Sequence, residues 1–269
     1  MACALTVVKL GVRVAHIKPG LPSFDRPMPE EINRVLTVAI SDYIFTTEEI
    51  EKENLLSEGI TPEIIHFEGN VMIDTLLNYK LKALAFQVLD QLGLTRQGYC
   101  LATLHRPGNV DSREVLGQRF KAFQVIGESM PVVFCCYPRT QEKLLEFNPT
   151  IQSVSPKGGL CWNKEVWVCD PFGYLDFMKL MMNSKVGITD SGGIQKETTI
   201  LEVPCLTVRS RTERPITISH GTNKLIGNKK DDIIREVPTV AKGNGEAQIT
   251  PLLWDGEATE RILQVLCQK

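Results

Sequence analysis

The segment VGITDSGGIQKETTILEVPCLTVRSRTERP, residues 186–215, combines residue types that can bind an anion. An apolar run ends at Asp190, Ser191-Gly192-Gly193 follows at once, and a polar segment typical of a helix comes next. Glycines let an anion approach the backbone closely, and the first N–H groups of a helix point toward it. Ser191 adds a hydroxyl group. The segment therefore has the composition of a phosphate-binding turn.

Two further side chains in this segment suit a nucleoside diphosphate. Glu197, in the first turns of the predicted helix, can accept two hydrogen bonds from a vicinal diol such as a ribose. Arg214, after the next apolar run, can donate two hydrogen bonds to a phosphate. The simpler alternatives are a plain Gly-Gly turn, a solvated carboxylate and a structural ion pair. They stay open because the chain has neither a Gly-x-x-x-x-Gly-Lys-Ser/Thr nor a Gly-x-Gly-x-x-Gly motif.

Composition narrows the class of protein. The chain has 269 residues, of which 43% are hydrophobic, and its formal net charge is -2, so we expect no nucleic-acid-binding surface and no acidic tail. No apolar run approaches the ~18 residues that a membrane helix requires. The eight cysteines are scattered without a Cys-x-x-Cys pair. We interpret them as buried, reduced thiols of a cytoplasmic protein.

Short apolar runs alternate with helical patterns along most of the chain. This alternation predicts parallel sheets covered by helices on both faces. A single long helix is predicted over residues 71–93, and a terminal helix follows Trp254. The pattern divides near residue 69 into a short first layer and a longer second layer. The first layer, residues 1–68, is small for a complete doubly wound domain.

A series of short motifs extends over nearly the whole chain. In chain order they are FDRPMPEEINR, FEGNVMIDTLL, LHRPGNVDS, DPFGYLDFMKLM, TDSGGIQKE, RTERP, HGTN and WDGEATERI. In this order they resemble the non-hydrolysing UDP-N-acetylglucosamine 2-epimerase family. The resemblance implies an α/β, GT-B-like fold of two Rossmann-like, doubly wound parallel-sheet domains, the first one incomplete. Residues 1–68 are then a remnant of the N-terminal domain, 69–252 the UDP-binding domain, and 253–269 a helix that crosses back to the first domain.

The resemblance also implies an activity. The family converts UDP-GlcNAc to UDP-ManNAc, a precursor of cell-surface polysaccharides, by elimination and re-addition of UDP. It implies no metal and no other cofactor, and it implies a homodimer. The catalytic residues by motif are Glu30 and His105. The residues matched to substrate binding are Arg106, Phe177, Ser191, Gly192, Gly193, Glu197 and Arg214.

Some matched positions also have a structural interpretation. Phe177 can be ordinary helix core, Glu30 can be a first-turn acid that suits the helix dipole, and His105 can simply hydrogen-bond a loop.

Five positions depart from the family pattern, and one of them is Pro22, which stands where the family has an arginine. Lys18 stands where the family has a catalytic glutamate, Gly108 replaces the glutamate of His-Arg-x-Glu-Asn, Tyr137 replaces a histidine, and Lys196 replaces a glutamate. The first strands of the family also have no counterpart, so we expect exposed apolar surface. Three hypotheses follow: an epimerase impaired in this chain, a UDP-sugar-binding or partner-binding module without catalysis, and a hydrolysing epimerase or GT-B glycosyltransferase relative.

Overall fold

The computed structural model describes residues 1–19, 21, 29–147, 165–243 and 249–268. The chain forms two compact units. The first unit comprises Met1–Asn78 and Pro251–Lys269, and the second comprises Tyr79–Thr250. The boundaries predicted from the sequence, after residues 68 and 252, both lie inside the first unit.

The helices and strands alternate as the apolar pattern predicts. The strands of the described residues are β1 Ala15–Ile17, β2 Tyr43–Thr46, β3 Ile65–Phe67, β4 Cys100–Thr103, β5 Val132–Cys135, β6 Val166–Cys169, β7 Val186–Thr189, β8 Cys205–Thr207 and β9 Asn223–Leu225. The α-helices are α1 Ala2–Lys9, α2 Pro29–Ala39, α3 Glu49–Ser57, α4 Val71–Leu84, α5 Val88–Leu92, α6 Pro107–Val110, α7 Arg113–Gly127, α8 Pro138–Phe147, α9 Tyr174–Asn183, α10 Gly192–Ile200, α11 Ile216–Ser219, α12 Lys230–Ala241 and α13 Ala258–Cys267.

The first unit is built on a parallel sheet in the order β1-β2-β3. All four residues of β2 are buried, as expected for a central strand covered on both faces. On one side lies a cluster of Val38, Ile44, Leu55 and Ile65. Val38 of α2 and Leu55 of α3 therefore pack against this side of the sheet.

The C-terminal segment packs within the first unit. Ile262 of α13 joins Tyr43 and Phe45 in a buried cluster. Trp254 is buried and its indole N–H donates to the carbonyl oxygen of Thr47, 3.1 Å away. The carboxylate of Asp74 in α4 accepts hydrogen bonds from the first backbone N–H groups of α13. The motif WDGEATERI thus has a structural role at the start of the last helix.

Apolar side chains are exposed on two helices of the first unit. These residues are Leu5, Val8, Ile32, Val35 and Leu36. The exposed apolar surface that the sequence predicts is therefore present on α1 and α2.

The second unit is a six-stranded parallel sheet in the order β6-β5-β4-β7-β8-β9. This is the 3-2-1-4-5-6 order of a doubly wound fold, and the strand order reverses between β4 and β7. Buried clusters lie on both faces of the sheet. The predicted α/β class with parallel sheets is confirmed. In folds of this type, ligands bind beyond the carboxyl ends of the strands at the point of reversal.

Several local predictions need correction. The long helix predicted over 71–93 is two helices, α4 and α5, because the helix is interrupted at residues 85–87. The second helix ends before Gly93, which has a left-handed φ of 65°. The sequence patterns also missed α6, α11, β9 and α12. Short elements such as α6 and β9 carry too little periodicity to be recognised.

The cysteines also differ in part from the prediction. Five are buried, namely Cys100, Cys135, Cys136, Cys169 and Cys205, and all seven described cysteines are free. Cys3 and Cys267 are exposed. Both lie in terminal helices whose neighbouring side chains are largely solvent-facing. Cys161 lies outside the described residues. Among the helices of the described residues, none has the length and apolar character needed to cross a bilayer.

Candidate functional site

The point of strand reversal in the second unit is organised by one buried carboxylate. Asp190 follows β7 and is fully buried. It accepts hydrogen bonds from the backbone N–H groups of His105 and Arg106, at 3.2 and 3.0 Å, and from the side-chain amide of Asn109, at 3.0 Å. Nδ1 of His105 lies 2.8 Å from Oδ1 of Asp190. Asp190 therefore joins the end of β7 to the turn that follows β4.

The same contacts keep Asp190 ionised. Burial alone would raise the pKa of the carboxyl group, but the hydrogen bonds from His105, Asn109 and the backbone of Arg106 outweigh burial and lower the pKa below its ordinary value. A buried carboxylate with this set of donors can fix the orientation of a neighbouring imidazole. His105 remains about one-third exposed and can face a ligand.

The first turn of α10 has the features of an anion-binding site. Ser191 is the residue that caps the helix, and its hydroxyl makes no capping hydrogen bond. Gly192 and Gly193 are the first two helical residues. A Cβ atom at Gly192 would lie 3.9 Å from Oε2 of Glu213. The predicted phosphate-binding turn is therefore at a helix N-terminus, where the helix dipole and free N–H groups favour a negative charge.

Three arginines surround Glu213 beside this turn. Arg209 donates to both carboxylate oxygens of Glu213, and Arg106 lies 3.5 Å from Oε2. Arg214 donates to the backbone carbonyl oxygen of Glu213 at 2.8 Å. Burial tends to raise the pKa of Glu213, but Arg209, Arg106 and Arg214 together lower it. Three positively charged arginines therefore surround one negatively charged carboxylate, and the cluster has a net positive charge.

An aromatic cavity of about 270 Å³ lies at the carboxyl ends of β4, β5 and β6. Phe177, Tyr174 and Phe172 line it together with Tyr137. Phe177 also packs against the buried cluster on that face of the sheet, so it belongs to the core and to the cavity wall. The mostly apolar, aromatic wall suits a flat heterocyclic base.

A hydrogen bond links Tyr174 in the cavity wall to Glu197 of α10. The hydroxyl of Tyr174 donates to Oε1 of Glu197 at 3.3 Å, and Glu197 is largely buried. Burial and the charge of Glu197 raise the pKa of Tyr174. Glu197 lies five residues beyond Gly192, which corresponds to ~7.5 Å along a helix axis. An aromatic cavity, a carboxylate and a helix N-terminus therefore follow one another along the edge of the sheet.

His105 also contacts an aromatic residue of the cavity. The centroid of the Tyr137 ring lies 5.0 Å from the centroid of the imidazole, and the two ring planes are tilted by 47°. Burial, followed by the charges of Asp190, Cys135 and Glu197, raises the pKa of Tyr137. Tyr137, which replaces a histidine of the family motif, thus contacts the imidazole on the side of the aromatic cavity.

The HGTN motif positions α10 through contacts within the protein. The side-chain amide of Asn223 donates to the backbone carbonyl oxygen of Gln195 at 2.8 Å and to the hydroxyl of Thr199 at 3.2 Å. A Cβ atom at Gly221 would approach Oγ1 of Thr199 to 2.3 Å and the backbone oxygen of Thr217 to 2.5 Å. Only glycine fits there. The motif therefore fixes β9 and α11 against α10.

The structure brings together most of the predicted site residues. All except Glu30 lie in the second unit, around the ends of β4, β7 and β8 and on α9 and α10. Glu30 is exposed in the first turn of α2, in the first unit. Lys18, also in the first unit, has a left-handed φ of 60°.

The sequence patterns gave no role to Asp190, Asn109, Arg209, Glu213 or Tyr174. Asp190 lies within a quoted motif, but its partners are 81 to 85 residues away in the sequence. Within the described part of the chain, no group of three or more His, Cys, Asp or Glu side chains is arranged to hold a metal ion.

Comparisons with known proteins agree on one family. Residues 1–267 match the family model for UDP-N-acetylglucosamine 2-epimerase. The UDP-N-acetylglucosamine 2-epimerase of Methanocaldococcus jannaschii is 40% identical over 271 residues, which cover 99% of this chain and 72% of that protein. A UDP-2,3-diacetamido-2,3-dideoxy-D-glucuronate 2-epimerase of Pseudomonas aeruginosa is 36% identical over 273 residues, covering 100% of this chain and 72% of the relative.

Solved structures give the same result. The crystal structure of the Methanocaldococcus jannaschii UDP-GlcNAc 2-epimerase in complex with UDP-GlcNAc and UDP superposes with a TM-score of 0.84 at 39% identity. The match covers 99% of this chain and 72% of that one.

Proposed function

Because the chain belongs to the UDP-N-acetylglucosamine 2-epimerase family, we propose that it binds UDP-sugars through its second unit and interconverts UDP-GlcNAc and UDP-ManNAc. The observation that carries the proposal is the order of groups along the edge of the second sheet. An aromatic cavity suits uracil, Glu197 suits the ribose diol, and the first turn of α10 with Ser191 suits the diphosphate.

The reaction requires stabilisation of the departing UDP. Elimination places additional negative charge on the diphosphate, and the N–H groups of Gly192 and Gly193 together with Arg106 and Arg214 can stabilise it. Asp190 holds the backbone of His105 and the imidazole itself, so that His105 can hydrogen-bond the reacting sugar or phosphate. The same donors then hold UDP in place for re-addition.

Removal of the C2 proton requires a base, because a proton at this carbon is only weakly acidic. By resemblance we assign this role to Glu30. Lys18 stands where the family has a second carboxylate, and a charged ammonium group cannot accept a proton. This departure favours impaired catalysis, and it makes a binding module without catalysis the second candidate function.

Incubation with UDP-GlcNAc in D₂O separates these functions. We expect nuclear magnetic resonance to show UDP-ManNAc that carries deuterium at C2, because the removed proton exchanges with solvent before re-addition. UDP binding without deuterium incorporation would contradict catalysis and support the binding module. Release of free ManNAc would instead support a hydrolysing relative.

Replacing Glu197 by glutamine tests the ribose assignment. The amide accepts fewer hydrogen bonds than the carboxylate, so we expect the dissociation constant for UDP to rise about tenfold. The dissociation constant for 2′-deoxy-UDP, which lacks half of the diol, should rise less. Calorimetric titration of both nucleotides measures the difference. Equal losses for the two nucleotides would exclude a contact between Glu197 and the 2′-hydroxyl.

We propose further that the protein acts in the cytoplasm as a homodimer. The free cysteines of the described residues suit a reducing compartment. Light scattering coupled to size-exclusion chromatography measures the oligomeric state, and a monomer at micromolar concentration would contradict the dimer.

A further inference from the structure

A second cavity in the second unit has a different character from the aromatic one. It has a volume of about 280 Å³ and lies between the turn after β4 and the segment after β8. The turn contributes Arg106, Pro107, Gly108 and Asn109. The other wall is residues 208–211 together with Asn228. Of the residues that we propose for UDP, only Arg106 lines this cavity, which therefore extends away from the first turn of α10.

The charge balance of this cavity favours an anion. Arg106, Arg209 and Arg211 line it, and none of its described lining residues is acidic. Glu213 is the one carboxylate that Arg106 and Arg209 share. Arg211 is exposed and forms no ion pair or hydrogen bond with the described residues. Three guanidinium groups against the carboxylates of Glu213 and of the buried Asp190, which contacts Arg106 and Asn109, still leave a net positive charge at the cavity.

Asn109 joins the two walls of this cavity. Its amide nitrogen donates to Asp190 and to the carbonyl oxygen of Val208, and these two acceptors fix the orientation of the amide. Its Oδ1 atom is buried and accepts no hydrogen bond from the part of the chain that the structure describes. The hydrogen bond to Val208 holds the turn after β4 against the segment after β8, so it fixes the spacing of the two walls that carry the arginines.

We propose that this cavity is a subsite for a phosphate group, either inorganic phosphate or a small phosphate monoester, separate from the UDP site. The phosphate oxygens accept hydrogen bonds from Arg211, Arg209 and Arg106, as guanidinium groups bind phosphate in pairs of hydrogen bonds. Because Arg106 borders both sites, an occupied subsite changes the affinity for UDP without excluding it.

A substitution at Gly108 can change the charge of this cavity without a steric clash. A Cβ atom at Gly108 would meet nothing within 4 Å, and the residue has no left-handed φ, so a longer side chain is accommodated. Gly108→Glu places a carboxylate among the three arginines. Gly108→Gln has nearly the same size and shape without the charge, and it is the matched control.

Thermal unfolding of the full chain in phosphate, compared with sodium chloride at equal ionic strength, tests the subsite. At a tenfold excess over its dissociation constant, phosphate should raise the midpoint by about 3–6 °C. Gly108→Glu and Arg211→Ala should each lose most of this rise. Gly108→Gln and Arg214→Ala should keep it, since the first adds no charge and the second changes only the UDP site. Glycerol phosphate in place of inorganic phosphate shows which of the two sources binds more tightly.

Several results would overturn the subsite. They are the absence of a phosphate-dependent rise in the unaltered chain, an unchanged rise in Gly108→Glu or Arg211→Ala, and a rise that disappears in Arg214→Ala. Calorimetry gives an independent readout, because the dissociation constant for UDP should reach a plateau as phosphate increases. A linear increase without a plateau would mean that phosphate only competes for the UDP site. The unfolding test requires no UDP, so it can succeed or fail independently of the proposed epimerase function.

Discussion

Replacing Asp190 by alanine is expected to lower the free energy of unfolding of the second unit by about 3–5 kcal/mol. Asp190 is fully buried and accepts hydrogen bonds from two backbone N–H groups and from Asn109. Its removal leaves these donors buried without an acceptor and removes the carboxylate oxygen that lies 2.8 Å from Nδ1 of His105. Urea denaturation measures the loss.

An exposed carboxylate of the same unit provides the control. The side chain of Asp231 is 86% exposed and makes only a 3.8 Å contact with Lys230. Asp231→Ala should change the free energy of unfolding by less than about 0.5 kcal/mol. If Asp190→Ala changed the free energy of unfolding equally little, the carboxylate would not organise the turn after β4, and other contacts would have to hold the site together.

The lowered pKa of Asp190 gives this prediction a pH dependence. A carboxyl group with a lower pKa in the folded state contributes its stability above the pKa of the unfolded chain, about 3.9. The contribution is lost as the pH falls through the lowered folded-state pKa. The difference in stability between the unaltered chain and Asp190→Asn should therefore be constant near neutral pH and should shrink only below about pH 4.

Replacing Arg214 by alanine is expected to weaken UDP binding by about 1.5–3 kcal/mol, which corresponds to roughly 10–150-fold in the dissociation constant. Arg214 follows β8, and Nη1 donates to the backbone carbonyl oxygen of Glu213 at 2.8 Å, which fixes the guanidinium group beside the first turn of α10. A charge-assisted pair of hydrogen bonds to the diphosphate would be lost.

Two variants separate this contact from a general effect of charge. Arg214→Lys keeps the positive charge but cannot donate in the planar, bidentate geometry, so we expect an intermediate loss. Arg235, an exposed arginine of α12 that pairs with Asp232 and Glu236, is the control. Arg235→Ala should leave the dissociation constant unchanged. An unchanged affinity in Arg214→Ala would remove Arg214 from the UDP site.

The sequence predicts the elements of the site better than their connections. The apolar run before Asp190, the Ser-Gly-Gly turn and the helix with Glu197 are local patterns, and the structure has them as β7 and α10. That two distant segments meet at Asp190 depends on the order of the strands, since β4 is paired with β7 in the sheet. Local periodicity contains no information on that pairing.

The unpredicted contacts have the same origin. Tyr174 reaches Glu197 across 23 residues, and Asn223 reaches Gln195 across 28. The sequence indicates the HGTN motif only as part of the resemblance. Its role depends on packing, because a Cβ atom at Gly221 would collide with Thr199. The division of the chain after residue 78 likewise depends on packing, because α4 continues across it without any change in sequence character.

The most direct test of the central claim is calorimetric titration of the purified chain with UDP at fixed ionic strength, with UDP-GlcNAc turnover assayed on the same sample. The arrangement of the aromatic cavity, Glu197 and the first turn of α10 predicts one UDP per chain, with affinity weakened by Glu197→Gln and Arg214→Ala. Turnover would show that Lys18 does not prevent catalysis. The absence of UDP binding in a folded sample would contradict the account, whatever the turnover.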